Sequence, residues 1–200
     1  MTKPVRTRLS PEKRKSQLLD NASDLVKTSG LQNFTIEALA KAAGVTVPLV
    51  YNYFPGRTEL LQELLKREYR NYVSDLSRLV SDAQTFEEVV RISVQSNFDY
   101  HANANALSIL QSQPELNTAI EQQQKKASLR SARFLVEKTA ESYQLTTKQA
   151  ELVLTMSAGA SIAAAQYASA TKLNKSETVD LVVTYILSGL SEIVVQNKQT

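Results

Sequence analysis

The sequence predicts an all-α protein, with an N-terminal three-helix bundle that contains a helix-turn-helix and a C-terminal helical domain. Apolar residues recur at helical spacing along the 200-residue chain, and no segment after residue 82 shows the alternation typical of a strand. Helix-capping residues precede several of these segments, as at Ser10, Thr35 and Thr85. We therefore expect about nine helices, divided between domains of residues 1–56 and 57–200.

The composition excludes several kinds of chemistry. The chain has no cysteine and one histidine, so it offers neither a disulfide, a thiolate metal site nor a histidine-pair zinc motif. It also lacks a glycine-rich phosphate loop. We therefore expect no catalytic residues, no metal and no cofactor, and an all-α enzyme is disfavoured. Without an export segment or an apolar run of about 18 residues, the protein is expected to be cytoplasmic, with no membrane partner.

The positive charge is concentrated near the start of the chain. Residues 1–70 hold 12 Lys and Arg against 7 Asp and Glu, a net charge of +5, whereas residues 71–200 hold 11 against 13, a net charge of −2. This asymmetry favours a head that binds phosphate and a nearly neutral body. Lys13, Arg14 and Lys15, near the start of a helix predicted from Pro11 to Ser29, either contact phosphate or form a solvated basic turn. The preceding basic arm either reaches a minor groove or is a disordered tail.

Residues 35–61 carry the strongest local signal in the sequence. Thr35 is placed to cap a short helix, Gly44 supplies the positive φ of a sharp turn, and Thr46 is placed to cap a second helix. In that second helix Val47, Val50 and Phe54 are predicted to face inward. The outward face is predicted to hold Pro48, Leu49 and Asn52, with Tyr51 and Tyr53 on its flanks. This spacing describes a helix-turn-helix whose second helix enters the major groove of DNA.

At these residues the chain resembles the TetR family of bacterial transcriptional regulators. The family pattern is T-x-x-x-[IL]-A-x-x-A-G-V-[ST]-x-x-x-[LIV]-Y-x-[YH]-F-x-x-[KR]-x-x-L. It is matched here by Thr35, Leu39, Ala40, Ala43, Gly44, Val45, Thr46, Val50, Tyr51, Tyr53, Phe54, Arg57 and Leu60. The resemblance covers roughly the first third of the chain. It implies a repressor that binds a palindromic operator, an inverted repeat in double-stranded DNA, as a homodimer and is released by a small apolar or amphipathic effector.

The predicted DNA-binding residues have two roles. Contacts with the phosphate backbone are expected from Thr35, Thr46, Tyr51, Tyr53 and Arg57. Base contacts are expected from Val47, Pro48, Leu49 and Asn52. Members of the family often have a hydroxyl where Leu49 stands, and the outward face offers no Arg, Lys or Gln for a bidentate guanine contact. The half-sites are therefore expected to be A·T-rich at the contacted positions.

The C-terminal domain is predicted to join the head without a flexible linker, through a helix from about Arg57 to Val80. In the resembled family the last two helices of each subunit form a four-helix bundle across a two-fold axis. The interface residues expected here are Ala160, Ala164, Tyr167, Val183, Ile186, Leu187 and Leu190. The alternative is that both apolar stripes are buried within one subunit.

The middle helices are expected to enclose the effector. Candidate lining residues are Asn97, Phe98, His101, Phe134, Tyr143, Met156 and Tyr167, and each is also a candidate for ordinary core packing. Few of these residues carry charge, so the expected effector is uncharged or amphipathic. Two other functions stay open at this stage: a helical dimeric scaffold that binds an acidic partner, and a constitutive DNA binder without an effector.

Overall fold

The computed structural model describes residues 9–102, 105–116, 121, 133 and 135–197, with the side chains of residues 101, 102 and 194–197 excepted. Within these residues the chain forms helices and no strand, which confirms the predicted all-α fold. The helices are α1 (Pro11–Ser29), α2 (Ile36–Ala43), α3 (Val47–Tyr51), α4 (Arg57–Ser81), α5 (Phe86–Ala102), α6 (Ala106–Gln111), α7 (residues 135–143), α8 (Thr147–Thr171) and α9 (Lys175–Asn197). Most of the helix predicted from residue 115 to 143 lies outside the described residues.

Local capping chemistry sets where several helices begin. The Ser10 hydroxyl accepts a hydrogen bond from the backbone N–H of Lys13 at 3.3 Å, at the start of α1. Thr85 and Glu88 form the predicted capping box of α5, because each side chain accepts the other residue's backbone N–H, at 3.1 and 3.2 Å. These interactions satisfy donors that the first turn of a helix leaves unpaired.

The N-terminal helices share one hydrophobic core with the first half of α4. Leu18, Val26, Leu39, Val50 and Phe54 are almost completely buried there, together with Leu60, Leu61, Leu64 and Leu65 of α4. Residues of α6 complete the same core. Because α4 contributes to the core of the head, the predicted domain boundary after residue 56 separates two segments that pack together. This boundary stays a prediction.

A second core lies between α5, α7, α8 and α9. Its buried residues include Val94 and Phe98 of α5, Ala165 of α8, and Val183 and Ile186 of α9. Two ion pairs, Arg91 with Asp180 and Lys175 with Asp99, also join α5 to α9. Helix α5 therefore lies at the centre of the C-terminal part of the molecule.

Two polar ties hold α1 against α4. Arg67 of α4, whose side chain is 17% exposed, pairs with Asp20 at 2.7 Å and donates to the backbone carbonyl of Leu19 at 3.0 Å. Lys15 of α1 pairs with Glu63 of α4 at 3.1 Å. Because both ties and the shared core act on α4, the position of this helix determines the position of the head.

Among the described residues, no helix combines the length and the apolar character needed to cross a lipid bilayer.

Candidate nucleic-acid interface and ligand cavity

The turn between α2 and α3 has the geometry of a helix-turn-helix. The Thr35 hydroxyl caps α2 by accepting the backbone N–H of Ala38 at 3.1 Å. Gly44 ends α2 in the left-handed region, with φ at 65°, where a side chain would be strained. Thr46 occupies the cap position of α3 as predicted, although its side chain accepts no hydrogen bond from the described first turn of that helix. The Thr46 side chain is exposed, so its hydroxyl is accessible to a phosphate.

Helix α3 is shorter than the sequence predicted. It ends at Tyr51, and the backbone N–H groups of Tyr53 and Phe54 continue the turn by donating to the Val50 carbonyl at 3.0 Å each. Val50 and Phe54 are nevertheless buried in the N-terminal core, as expected. These two side chains fix the inward face of α3, and their burial determines which residues face outward.

The predicted base-reading residues lie on or beside the accessible side of α3. Pro48, Asn52 and Tyr51 are exposed, and Leu49 is half-buried. Val47 and Tyr53 are partly buried against the N-terminal core, so each has one side available to a partner. The arrangement presents a short, mostly apolar surface with one amide, Asn52, and two phenol groups at its edge. Such a surface can contact thymine methyl groups and one adenine.

Arg57 differs from its predicted role as a phosphate anchor. Its Nε donates to the carbonyl of Phe34 at 2.9 Å, and its Nη2 donates to the carbonyl of Leu31 at 2.7 Å. The guanidinium also lies over the Phe34 ring, 6.0 Å from the centroid. Arg57 therefore braces the segment that leads into α2, and its phosphate contact stays a prediction.

The basic residues at the start of α1 are also partly engaged within the molecule. Lys15 pairs with Glu63, and its Nζ lies 5.6 Å from the centroid of the Phe54 ring. Arg14 donates to Gln17 at 2.6 Å. For these two residues the structure favours an intramolecular role, and the predicted phosphate contact stays a prediction for Lys13.

A large cavity lies between α4, α5, α7, α8 and α9. Its volume is about 1340 Å³, and its described walls include Val73 and Leu76 of α4, Val90 and Val94 of α5, and Ile186 of α9. Ligand pockets in proteins commonly have volumes of about 300–1,000 Å³ and mostly apolar walls. The cavity is therefore large enough for an organic molecule with an extended apolar part.

A chain of hydrogen bonds crosses one wall of this cavity. The Tyr72 hydroxyl of α4 donates to Oδ1 of Asn97 in α5 at 3.1 Å, and Nδ2 of Asn97 donates to the Ser161 hydroxyl of α8 at 3.2 Å. All three residues line the cavity. Burial, with a smaller contribution from Tyr69, raises the pKa of Tyr72 above its usual value. The hydroxyl therefore stays protonated at neutral pH and remains a donor.

One of the predicted lining residues lies on the cavity wall, and the four others whose side chains the structure describes do not. Asn97 lines the cavity, whereas Phe98 packs within the second core instead. Met156 and Tyr167 are 62% and 65% exposed, because the face of α8 that carries them points away from α5. Tyr143 packs edge-on against Phe86, which lines the cavity, with 5.0 Å between the ring centroids. The side chains of His101 and Phe134 lie outside the described residues.

Sequence reasoning missed Tyr72 and Ser161 as cavity residues. Tyr72 belongs to α4, the helix predicted to join the two domains, and Ser161 lies in a stretch of α8 that is rich in small residues. Both side chains hydrogen-bond to Asn97, although Tyr72 is 25 positions and Ser161 is 64 positions away from it in the sequence. The periodicity of a single helix carries no signal for such a contact.

The predicted dimer residues need a similar correction. Val183, Ile186 and Leu190 are buried within the subunit, because α9 turns this stripe toward α5 and α8. Ala160, Ala164 and Leu187 are partly buried, and Tyr167 is exposed. The large apolar side chains that remain exposed on the last two helices are Leu152, Met156, Tyr167, Leu181 and Tyr185. Helical spacing places Leu152 and Met156 on one face of α8, and Leu181 and Tyr185 on one face of α9.

Comparisons with known proteins match the N-terminal part of the chain and the overall fold. The family model described as "Bacterial regulatory proteins, tetR family" matches residues 18–64, which include α2, α3 and the start of α4. The HTH-type transcriptional regulator LuxR of Vibrio harveyi is 40% identical over 78 residues, which cover 38% of each chain. The chain matches between 38% and 48% of the length of the first curated relatives.

Two solved structures match over nearly the whole length of this chain. A TetR-like transcriptional regulator from Rhodococcus sp. RHA1 has a TM-score of 0.63 and 24% identity, and the match covers 92% of this chain and 99% of that one. The regulator FadR from Bacillus subtilis, in complex with stearoyl-CoA, has a TM-score of 0.62 and 18% identity, with coverage of 90% and 97%. At these identities the likeness concerns the fold. The match to the TetR family of bacterial regulatory proteins covers residues 18–64, which hold the helix-turn-helix, and the likeness of the whole chain to TetR-like structures is one of fold.

Proposed function

We propose that this protein is a ligand-responsive transcriptional repressor, which binds an inverted-repeat operator as a homodimer and is released by a small effector. The observation that carries the proposal is the outward surface of α3. Pro48, Tyr51 and Asn52 are exposed there, while Val50 and Phe54 hold the helix on the N-terminal core. A helix presented in this way fits the major groove.

The last two helices support the homodimer. Five large apolar side chains, named above, are exposed on α8 and α9, where a single subunit would leave them in water. A two-fold axis beside these helices would bring the same surface of a second subunit against them, and symmetric pairing is the commonest way to cover such a surface. Small residues between the large ones, including Gly159 and Ala163, would permit close approach of the helices.

The cavity supports a small-molecule effector. It lies directly on α4, since Tyr69, Tyr72, Val73 and Leu76 belong to its walls, and the same helix enters the core of the head. The structure of FadR from Bacillus subtilis was determined in complex with stearoyl-CoA, which shows that a protein of this fold accommodates an amphipathic molecule. An effector would release DNA by binding more tightly to a conformation whose two heads no longer fit successive major grooves.

Selection of bound sequences from random duplex DNA tests the proposal. We expect an inverted repeat with A·T-rich contacted positions, because α3 offers apolar groups and one amide to the bases. The selection is repeated with a library of metabolites, and a molecule that elutes the bound DNA identifies the effector class. Failure to enrich any sequence at low salt would refute the DNA-binding function and favour a helical scaffold. Enrichment that no metabolite reverses would indicate a constitutive binder.

A further inference from the structure

The amide of Asn97 lines the cavity and keeps hydrogen-bonding capacity that its two protein partners do not use. A side-chain amide carries two N–H donors and two acceptor lone pairs. Tyr72 takes up one lone pair and Ser161 takes up one N–H, at 3.1 and 3.2 Å. One donor and one acceptor remain on a half-buried side chain that lines the cavity. Tyr72 and Ser161 both contribute hydroxyl groups, which either donate or accept a hydrogen bond. If the amide oxygen and nitrogen were exchanged, one donor and one acceptor of the amide would therefore still be free.

The neighbours of Asn97 hold the amide in place. Ser161 is 1% exposed, and Tyr72 belongs to α4, so the amide is fixed between two helices other than its own. The described walls are mostly apolar, with Val73, Val90, Val94 and Leu154 among them. A fixed pair of polar groups on an apolar wall orients a ligand without providing much of the buried area.

The charges of the described lining residues disfavour a charged group at this position. Arg133 is the cation among them, and it already pairs with Glu137 at 3.7 Å, where the two side chains are 79% and 65% exposed. Glu141 and Glu151 are also exposed. Among the described lining residues, an anion beside Asn97 would lose its hydration without gaining a counter-charge, and a cation would find carboxylates only at exposed positions.

We infer that Asn97, held by Tyr72 and Ser161, is the subsite for an uncharged headgroup of the effector, such as a hydroxyl, an amide or a ketone. The rest of the effector is an apolar body that fills the cavity of about 1340 Å³. A hydroxyl both donates and accepts, so it satisfies the two free positions of the amide at once. The inference rests on the proposed function in one respect, namely that the cavity holds the effector.

Three probes with the same decyl chain and different headgroups test this inference. Decanol, decanoate and decyltrimethylammonium are titrated into the full-length protein at pH 7, without DNA, by isothermal calorimetry. We expect decanol to bind with a Kd roughly tenfold lower than that of either ion, which is the effect of one or two hydrogen bonds. Equal or tighter binding of decanoate or decyltrimethylammonium, or no binding of decanol, would overturn the inference.

A pair of variants on α5 assigns the effect to the amide. Asn97→Leu keeps the size of the side chain and removes its polar groups, and it should raise the Kd of decanol roughly tenfold. Ser93→Ala is the matched control. Ser93 lines the same cavity one turn earlier, but its hydroxyl donates to the Val89 carbonyl of its own helix at 2.8 Å, so decanol affinity should be unchanged. Equal decanol affinity in Asn97→Leu and wild type would contradict the assignment.

The headgroup ranking of the wild type decides the inference even if Asn97→Leu fails to fold. The two proposals also fail separately, because the titrations use protein without DNA and the sequence selection uses protein without ligand. An enriched operator together with preferred binding of an ion would refute the headgroup subsite alone. Preferred binding of decanol without any enriched sequence would refute the DNA-binding function alone.

Discussion

Replacing Arg57 by alanine distinguishes an internal brace from a phosphate anchor. The side chain donates to the carbonyls of Phe34 and Leu31 at 2.9 and 2.7 Å, and its guanidinium lies over the Phe34 ring. Hydrogen bonds from charged groups contribute about 1.5–3 kcal/mol each when they are shielded from water. Here the residue is largely exposed, so we expect about 1 kcal/mol for each bond, below that range, and a total of about 2 kcal/mol for both.

Native-state hydrogen exchange measures this loss where it should occur. The bonds hold the segment that leads into α2, so the amides of Leu39 and Ala40 report on opening of the helix-turn-helix. A loss of about 2 kcal/mol corresponds to roughly 30-fold faster exchange of these amides. Exchange in α8 and α9, which belong to the second core, should be unchanged and serves as an internal control.

Arg57→Lys is the matched variant for charge. It keeps the positive charge but lacks the planar, forked donor that reaches two carbonyls. As a brace, Arg57 predicts faster exchange in both variants and a salt dependence of DNA binding that is unchanged in both. Unchanged exchange in Arg57→Ala, combined with a salt dependence reduced by about one phosphate contact, would refute the brace and restore the role predicted from the sequence.

Three further perturbations test other parts of the molecule. Asn52→Ala should relax the preference at one base pair of the half-site and leave affinity for random duplex nearly unchanged, because the exposed amide is the proposed polar base-reading group at the end of α3. A uniform loss of affinity in binding titrations would contradict this. Met156→Glu should shift the proposed homodimer toward monomers in analytical ultracentrifugation, since it places a charge in the exposed apolar face of α8. An unchanged sedimentation profile would move the interface elsewhere. Glu63→Gln should destabilise the protein at neutral pH but not in acid. Burial raises the pKa of Glu63, but the hydrogen bonds and charges of Lys15 and Lys66 outweigh burial and keep that pKa below its usual value near 4.5. The Glu63 carboxylate therefore stabilises the wild type at pH values above 4.5, and this stabilisation is lost as the pH falls through the folded-state pKa. If the urea denaturation midpoints of the wild type and Glu63→Gln differed by the same amount at every pH, the prediction would be refuted.

The helix-turn-helix was predictable from sequence because its determinants are local. The cap at Thr35, the positive φ of Gly44 and the burial of Val50 and Phe54 all act within about twenty residues. The role of Arg57 was not predictable in this way. Its acceptors lie 23 and 26 residues earlier, and a basic residue at the start of a helix beside a DNA-binding surface equally suggests a phosphate contact.

The sequence predicted the last two helices, but it did not indicate which of their faces are buried within the subunit and which are exposed. Helix α8 has small residues on several sides, so its apolar pattern does not indicate which face meets α5 and which faces outward. Helix α9 has a wide apolar stripe, of which Val183, Ile186 and Leu190 are used within the subunit. Leu181 and Tyr185 remain outside. The buried and the exposed apolar residues of α9 both occur at helical spacing in the sequence. Only the tertiary packing therefore shows which residues are buried.

The cavity and the head are connected through one uninterrupted element. Helix α4 runs from Arg57 to Ser81 without a glycine or proline, its first half lies in the N-terminal core, and Tyr69, Tyr72, Val73 and Leu76 line the cavity. Leu65 and Tyr72 are seven residues apart, or about 10 Å along a helix. A continuous helix can carry a displacement over that distance, so we expect a ligand that moves Tyr72 to move the leucines of the head as well.

The ties between α1 and α4 determine what form that displacement takes. Arg67 holds Asp20 and the carbonyl of Leu19, and Lys15 holds Glu63, so α1 follows α4 as one body. Ligand binding should therefore reorient an intact head rather than unfold it. A hydroxyl that hydrogen-bonds to Asn97 would act at the residue where Tyr72 of α4 is anchored. Because linkage is reciprocal, a ligand that weakens operator binding must itself bind more weakly, by the same factor, when the operator is bound.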